Sequence, residues 1–420
     1  MLKINNKRSM MPLQQNLYLE TPWDFKGADT KYYTHGLHSY PAMMIPQIAA
    51  RLIKENLKNG DVILDPFCGS GTVLVESMLT GKESFGIDIN PLTKLIAESK
   101  TTLYDIDELN KTYSKLLQRI ETSEPVKPPK FFNIDFWFKP KAIEDLAKIR
   151  DAINNIPNKF KAFFLTCFSE TVRKSSNVRQ GGFKLHRISE DDFKGYNPEP
   201  LAIFKKHIEK CMPKIAEFHN VLDNPPKPIV LLEDTRKKTS VPDDCVDLIV
   251  TSPPYGDSRT TVAYGQFSRL SLKWLGFDEK VVNIIDKMLL GGTKADNLWK
   301  VITPTLNEYV TKIEQKDVQR ANDVLSFYVD LDKCFVELNR VTRKGARICM
   351  VVGNRTVKGY QIPTHKIIQE LGEDHDMNHI NTIFRNIPSK RIPSRNSPSN
   401  KKGDISNTMT QEAIVVLQKI

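Results

Sequence analysis

The sequence predicts an α/β protein with a doubly wound sheet, a largely helical insertion and a second, irregular insertion. Two observations lead to this fold class. Short apolar runs typical of buried parallel strands alternate with helical periodicity in both halves of the chain. Between them the alternation stops and helical periodicity dominates. The predicted parts are 1–105, the helical insertion 106–227, and 228–420 with its irregular insertion 257–321 and a basic loop at 385–402.

Composition favours a globular core and a polyanionic partner. Of the 420 residues, 40% are hydrophobic, and the net charge is +11, which is typical of proteins that bind nucleic acid. We expect no membrane span and no secretion signal, because no apolar run is long enough for either. The six cysteines are scattered without a Cys-x-x-Cys pair. This pattern predicts reduced intracellular thiols, with neither a disulfide framework nor a metal site.

The first α/β unit carries a glycine-rich turn between a strand and a helix. Its predicted elements are a helix from Pro46, a strand at 61–64, a helix at 73–79, a strand at 83–87 and a helix from Pro91. The segment Asp65-Pro-Phe-Cys-Gly-Ser-Gly-Thr72 joins the first strand to the second helix, and Asp88 ends the second strand. Strand, glycine turn, helix, strand and acid form the repeating unit of a doubly wound sheet.

This turn predicts a nucleoside-binding site. Gly69 and Gly71 allow the backbone to pass close to a ligand and leave amides facing it at a helix N-terminus. Asp88 is placed to bind ribose hydroxyls. The turn lacks the third glycine of the dinucleotide fingerprint and the Gly-Lys-Ser/Thr of a triphosphate loop. A nucleoside without a pyrophosphate therefore fits it better than either ligand.

A second motif, Thr251-Ser252-Pro253-Pro254-Tyr255, follows the apolar run 246–250. The two prolines lock the backbone and remove two N–H donors, which leaves carbonyl oxygens free to face a cleft. Tyr255 offers a flat face on which a planar group could stack. Taken alone, such a motif is as typical of a rigid turn as of a binding loop.

Together the two motifs resemble those of S-adenosylmethionine-dependent DNA amino-methyltransferases of restriction–modification systems. The segment 65–72 is similar to the family's cofactor motif, and Ser252–Tyr255 is similar to its catalytic motif. The serine-led form is typical of enzymes that methylate the N4 amine of cytosine, whereas adenine-specific relatives more often carry Asp or Asn in place of Ser252. The resemblance implies a Rossmann-like methyltransferase sheet with S-adenosyl-L-methionine as cofactor.

The resemblance also implies roles for individual residues. The implied cofactor-binding residues are Pro41, Asp65, Phe67, Gly69, Gly71, Thr72, Asp88 and Asp234. The implied catalytic residues are Ser252, Pro253, Pro254 and Tyr255. A base in a duplex cannot present its amine to the cleft, so base flipping is implied, with Tyr255 stacking on the extruded base. The candidates for DNA contacts are Arg259, Arg269, Lys390, Arg391 and Arg395.

The expected partners are double-stranded DNA and a cognate restriction endonuclease, in the cytoplasm of a prokaryotic cell. Three alternatives stay open: an adenine-N6 DNA methyltransferase, an RNA methyltransferase, and a catalytically silent nucleic-acid-binding protein of the same fold. Within the insertion, the aromatic cluster at 131–138 is predicted to be packed core rather than a base-stacking platform. The basic loop at 173–187 is expected to contact phosphates.

Overall fold

The structure is a computed structural model that describes residues 23–57, 60, 62–257, 260–294, 303–388, 395–396, 406–407 and 409–420. A single 3-10 turn, Tyr33–Gly36, precedes the first α-helix. The α-helices are α1 Pro46–Asn56, α2 Thr72–Leu79, α3 Pro91–Thr101, α4 Ile106–Glu121, α5 Ile134–Trp137, α6 Pro140–Asn154, α7 Asn158–Ser175, α8 Glu190–Gly195, α9 Pro200–Val221, α10 Tyr264–Leu275, α11 Glu279–Met288, α12 Pro304–Glu314, α13 Val318–Val341 and α14 Thr364–Asp374. In the described part of the chain, none of these helices is long and apolar enough to cross a membrane.

A seven-stranded sheet forms the centre of the fold. Its strands are β1 Val62–Asp65, β2 Glu83–Asp88, β3 Ile229–Leu232, β4 Val246–Thr251, β5 Thr342–Gly353, β8 Met377–Asn386 and β11 Gln411–Lys419. Two short ladders lie outside it, formed by β6 Thr356–Val357 with β7 Tyr360–Gln361, and by β9 Arg395–Asn396 with β10 Ser406–Asn407. The strand order is β3-β2-β1-β4-β5-β11-β8, parallel except that β11 runs antiparallel to both of its neighbours. The predicted doubly wound sheet is confirmed.

Both faces of the sheet are covered by helices, which explains why the inner strands β1 and β4 are buried along nearly their whole length. Successive side chains of a strand point to opposite faces. Leu64 of β1 therefore packs in one core with α13 and α14, whereas its neighbour Ile63 packs in a second core with α1. The sheet is thus held from both sides, and the loops at its carboxyl edge rest on a rigid base.

The insertion 106–227 is helical, as predicted, and has its own core. Helices α7 and α9 pack together there, and Trp274 of α10 is fully buried among their side chains. The prediction for the aromatic cluster holds for Phe138, which is buried, but it was wrong for Phe132 and Phe136, which are 74% and 42% exposed. The physical reason is that α5 has only four residues, so only one side of this short turn can pack inward.

Within 257–321 the sequence predicts a helix that ends at Trp274, and α10 confirms it. The prediction that the rest of this stretch is irregular was wrong, because α11, α12 and the start of α13 lie there. The helix-start signals are side-chain caps. Asp278 accepts hydrogen bonds from the amides of Lys280 and Val281, and Thr303 accepts one from the amide of Leu306 just before Pro304. Such caps satisfy amides that the first helical turn leaves unpaired.

The basic loop predicted at 385–402 does not begin at Arg385. This arginine lies in β8, is only 2% exposed, and forms an ion pair with Glu412 of the adjacent strand β11. Its guanidinium therefore stabilises the sheet edge and is not available to a phosphate. Most of the remaining loop lies outside the described residues, apart from 386–388 and the two-residue strand β9, which pairs with β10 beyond the loop.

Candidate active site

The two sequence motifs meet at the carboxyl edge of the sheet. Strands β1 and β4 are parallel neighbours, so their carboxyl ends lie side by side. The hydroxyl of Thr251, at the end of β4, donates a 2.7 Å hydrogen bond to the carboxylate of Asp65, at the end of β1. This carboxyl edge is where open α/β sheets bind their ligands.

The glycine-rich turn is shaped by two left-handed glycines. Gly69 has φ +48° and Gly71 has φ +78°. A Cβ atom at Gly71 would lie 2.9 Å from the Cβ of Ala97 on α3, so the turn can pack this closely only without a side chain. The Asp88 carboxylate accepts from the amides of Gly69 at 3.0 Å and of Asn90 at 2.9 Å. Asp88 thus ties the turn to the end of β2.

A cleft of about 880 Å³, part of it open to solvent, runs over this edge. Its walls include residues from the turn, from the ends of β2 and β3 and from α10 and α11. The predicted cofactor residues that line it are Pro41, Asp65, Phe67, Gly69, Thr72, Asp88 and Asp234. Gly71 supports the turn from behind, against α3. Ser252 and Pro254 of the second motif line the same cleft, so the structure brings both predicted sites together.

The charges of the cleft suit a cationic ligand without phosphates. Asp65, Asp88 and Asp234 contribute acidic groups. The basic side chain among the described lining residues is Arg236, which is neutralised by Asp234 and Asp330 at 2.8 and 2.9 Å. Arg236 bonds both oxygens of Asp234, so this acid holds the arginine in addition to lining the cleft. The carboxylates of the cleft would repel a phosphate, whereas they would attract a sulfonium or an ammonium group.

Apolar and aromatic groups complete the walls. Met43, Met44 and Phe67 line one part of the cleft, and Leu289 and Leu290 follow α11 on another. Such surfaces accept a flat ring system in a cleft whose polar groups fix the orientation of the ligand. The residues present therefore fit a nucleoside carrying a positive charge.

Tyr40 and Tyr264 form a stacked pair at the mouth of the cleft that the sequence did not reveal. Their ring centroids are 5.9 Å apart with an interplanar angle of 23°. The Asn90 amide donates to the Tyr40 hydroxyl at 3.2 Å and to the Ser268 hydroxyl at 2.8 Å. Through this amide, α10 is joined to the end of β2. Tyr264 lies in the stretch predicted to be irregular, where no recognised motif marked it.

Two side chains of the second motif, Ser252 and Tyr255, form a hydrogen-bonded series with Glu412 of β11. The Ser252 hydroxyl donates to the Tyr255 oxygen at 3.4 Å, and the Tyr255 hydroxyl donates to the Glu412 carboxylate at 3.0 Å. Burial, together with the neighbouring Glu412 carboxylate, raises the pKa of Tyr255 well above its usual value, which keeps its hydroxyl protonated as a donor. The lone pairs of Ser252 are consequently left to accept hydrogen bonds from a substrate.

The motif is anchored by a buried acid that follows it. Asp257 is fully buried and forms an ion pair at 3.1 Å with Arg355, just beyond β5, and Arg320 of α13 lies 4.0 Å away. Although burial raises the pKa of Asp257, these arginines lower it below its ordinary value overall. Asp257 and Arg355 lie 98 positions apart in the chain, and no pattern in the sequence indicates that they pair.

Of the five candidate DNA-contact residues, the structure describes Arg269 and the backbone of Arg395. Arg269 lies on α10, is partly exposed, and has Asp286 of α11 at 3.6 Å. The structure describes Arg395 only as part of the short strand β9. Arg259, Lys390 and Arg391 lie outside the described residues. In the 173–187 segment, Arg173 ends α7 and its guanidinium lies 4.0 Å from the centroid of the Phe267 ring.

The sheet order, the glycine turn and the acidic nucleoside cleft define an S-adenosylmethionine-dependent methyltransferase. Comparison with known proteins gives the family. The model of the N6/N4 DNA methylase family matches residues 3–99. The Type II methyltransferase M.MvaI of Kocuria varians is 41% identical to this chain over 94% of it and 93% of the relative. The chain therefore belongs to the Type II DNA methyltransferases of restriction–modification systems.

The comparisons also find two more distant likenesses. The Type II methyltransferase M.BsoBI of Geobacillus stearothermophilus is 22% identical over 81% of this chain and 78% of its own length. A solved structure of a SAM-dependent methyltransferase from Methanosarcina mazei is 11% identical, covers 91% of this chain and 99% of its own, and has a TM-score of 0.32.

The affinity for S-adenosylmethionine is expected to rise with pH through neutrality. Burial raises the pKa of Asp65 to about 7, against the opposing hydrogen bonds from Thr251 and from the amide of Phe67. A cationic ligand favours the ionised carboxylate, so affinity is lost as pH falls below that value. Between about pH 6 and about pH 8 the dissociation constant is expected to fall by roughly tenfold.

Calorimetric titration across this pH range measures the effect. Asp65→Asn is the matched control, since it keeps the shape of the side chain but cannot ionise. The variant is expected to bind more weakly with a flat pH profile. A wild-type profile as flat as that of the variant would show that Asp65 does not face the cationic part of the cofactor.

Proposed function

We propose that the protein methylates the exocyclic N4 amine of cytosine in duplex DNA after flipping the base out of the helix. The observation that carries this proposal is the Ser252 hydroxyl, which donates to Tyr255 from a position that lines the cleft. A serine in this place is typical of cytosine-N4 enzymes. Support also comes from the shared cleft, because Ser252 and the cofactor residues line the same cavity.

Methyl transfer to the cytosine amine requires a group that accepts hydrogen bonds from this amine. The amine of cytosine is a poor nucleophile because its lone pair is delocalised into the ring. The Ser252 oxygen and the Pro253 carbonyl are proposed to accept from its two N–H groups, which favours a more tetrahedral nitrogen. When bound, S-adenosylmethionine supplies an electrophilic methyl group. The protein contributes placement and preorganised acceptors, and it needs no covalent intermediate.

We propose that the flipped base stacks on the ring of Tyr255. A Cβ at Gly353 would lie 2.7 Å from the Cδ2 atom of Tyr255, so one edge of the ring rests directly on the backbone of β5. The hydroxyl is held by Ser252 and Glu412, which fixes the plane of the ring. A ring held this firmly loses little conformational freedom when a base stacks on it.

The cofactor is proposed to be held by the residues of the glycine turn and the strand ends. Asp88 would bind the ribose hydroxyls, and Asp65 would face the cationic end of the ligand. Asp234 is proposed to lie near the adenine. It also holds Arg236, which donates two hydrogen bonds to the Asp234 carboxylate. Pro41, Phe67 and the methionines would enclose the rest.

The parts of the chain have proposed roles as well. Segments 1–105 and 228–420 would form the methyltransferase domain, and 106–227 a helical domain that takes part in DNA recognition. The net charge of +11 supports phosphate contacts from the basic segments, including Lys390 and Arg391. We further propose that the enzyme protects prokaryotic DNA in the cytoplasm against a cognate endonuclease.

The decisive experiment identifies the methylated nucleoside. The protein is incubated with isotopically labelled S-adenosylmethionine and mixed-sequence duplex DNA, and the DNA is digested to nucleosides for mass spectrometry. We expect label in N4-methylcytosine and none in N6-methyladenine. Label in N6-methyladenine would overturn the base assignment while leaving the enzyme class intact. Transfer to RNA but to no DNA would overturn the substrate as well.

A further inference from the structure

Three buried side chains of the helical insertion bring potential metal ligands together. Cys167 lies on α7, and His207 and Cys211 lie on α9. One ligand atom of each residue lies within 4.8 Å of the other two, and all three residues are buried. No pattern in the sequence indicates this cluster, because its ligands come from two separate helices and form no Cys-x-x-Cys pair.

The geometry of the cluster is close to that of a tetrahedral site. His207 and Cys211 are four residues apart on one helix, so their side chains lie on the same face. The Cys211 sulfur is 3.7 Å from the Nε2 atom of His207. In a zinc site, bonds of about 2.3 Å to sulfur and about 2.0 Å to nitrogen at a tetrahedral angle place these atoms about 3.5 Å apart.

A backbone oxygen lies where the fourth ligand of such a site would be. The carbonyl oxygen of Leu37 lies 2.9 Å from His207 Nε2 and 4.0 Å from the Cys211 sulfur. Leu37 is fully buried in the same core. Two thiolates, one neutral imidazole and one carbonyl with a divalent cation carry no net charge, which suits apolar surroundings.

We propose that Cys167, His207 and Cys211 bind one Zn²⁺ ion, with the Leu37 carbonyl as the fourth ligand. On binding, the two thiols and any protonated imidazole release their protons to solvent, and four metal–ligand bonds form without oxidation or reduction. The ion would join α7 and α9 to the segment that leads through Ser39 and Tyr40 into the cofactor cleft. The site is structural, since its four positions are filled by the protein.

Metal uptake by the full-length protein tests this site. The protein is purified under reducing conditions, freed of metal with a chelator, and titrated with Co²⁺ and then Zn²⁺. We expect one equivalent of Co²⁺ with a thiolate-to-cobalt charge-transfer band, its displacement by one equivalent of Zn²⁺, and a melting temperature that rises with Zn²⁺. Cys211→Ser is expected to abolish the band.

Cys245→Ser is the matched control, because Cys245 is a half-buried thiol outside the cluster. This variant is expected to take up one equivalent as the wild type does. Wild-type protein with fully reduced thiols that shows no charge-transfer band would overturn the proposal, whatever the variants do. Such a result would leave the Cys211 sulfur and the His207 ring in direct contact without a metal ion. An unchanged band in Cys211→Ser would overturn it too, since the metal would then sit elsewhere.

Neither outcome bears on the proposed base specificity. The titration is read without DNA or S-adenosylmethionine, so a failed metal site and a failed cytosine assignment give different results.

Discussion

Replacing Ser252 by alanine is expected to lower the rate of methyl transfer by about 10²–10³-fold, the range typical of losing one preorganised hydrogen-bond partner in an active site. The dissociation constant of S-adenosylmethionine is expected to stay within about twofold, because the contacts assigned to the cofactor lie in the glycine turn and at Asp88. Single-turnover transfer to duplex DNA and a separate cofactor titration measure the two quantities.

The expected loss of rate follows from the hydrogen bonds that link Ser252, Tyr255 and Glu412. Alanine removes the acceptor that faces the amine and also leaves the Tyr255 oxygen without the Ser252 donor. Glu412 still holds the Tyr255 hydroxyl at 3.0 Å, so the ring keeps its place. Tyr255→Phe therefore separates the two effects. It keeps the ring and the Ser252 hydroxyl, and its loss of rate is expected to be the smaller.

Ser123→Ala provides the control for a serine hydroxyl outside the cleft. That hydroxyl donates to the carbonyl of Ile120 at the end of α4, and its loss is expected to leave transfer unchanged. If Ser252→Ala lost cofactor binding along with transfer, Ser252 would belong to the cofactor site. A rate equal to that of the wild type would remove the hydroxyl from the mechanism.

The sheet and the cleft were predictable because their signals are local. The inner strands β1 and β4 are short, mostly apolar runs, and the turn at 65–72 and the motif at 251–255 each occupy consecutive residues. The edge strand β8 is largely polar and exposed, and the sequence did not predict it. The carboxyl ends of neighbouring parallel strands must share an edge. Correct strand adjacency therefore places Asp65 beside Thr251 without any knowledge of side-chain packing, and the 2.7 Å bond between them follows.

The contacts that fix the catalytic loop were not predictable because their partners lie far apart in the chain. Glu412 reaches Tyr255 only because β11 enters the sheet antiparallel beside β5. Arg385 was assigned to a basic loop from its neighbours in sequence, but pairing of β8 with β11 buries it against Glu412. Charge along a chain does not show which charges a sheet will pair.

Helices α11 and α12 were missed for a different reason. Their start signals are the single capping residues Asp278 and Thr303, and such residues also occur in loops. Helix α11 is only ten residues long, and Val282 and Ile285 are its buried residues. A pattern this short does not distinguish a helix from a turn. The same stretch supplies Tyr264, so the aromatic wall of the cleft was missed with it.

Replacing Gly71 by alanine is expected to weaken S-adenosylmethionine binding by at least about tenfold, or about 1.4 kcal/mol. The residue has φ +78°, which costs a side-chain-bearing residue roughly 1–2 kcal/mol. In addition, the new Cβ would lie 2.9 Å from the Cβ and 3.1 Å from the Cα of Ala97. The turn must then move away from α3, and the amides of the turn move with it. Calorimetric titration of the cofactor measures the loss.

Gly81→Ala is the matched control, because it carries the same backbone strain without the collision. Gly81 has φ +69°, and nothing lies within 4 Å of a Cβ placed there. Both variants are expected to lose thermal stability, but only Gly71→Ala is expected to lose affinity. Equal and unchanged dissociation constants in the two variants would show that the turn relaxes around Ala97 without moving its amides. The close approach to α3 would then serve the packing of the fold and not the cofactor.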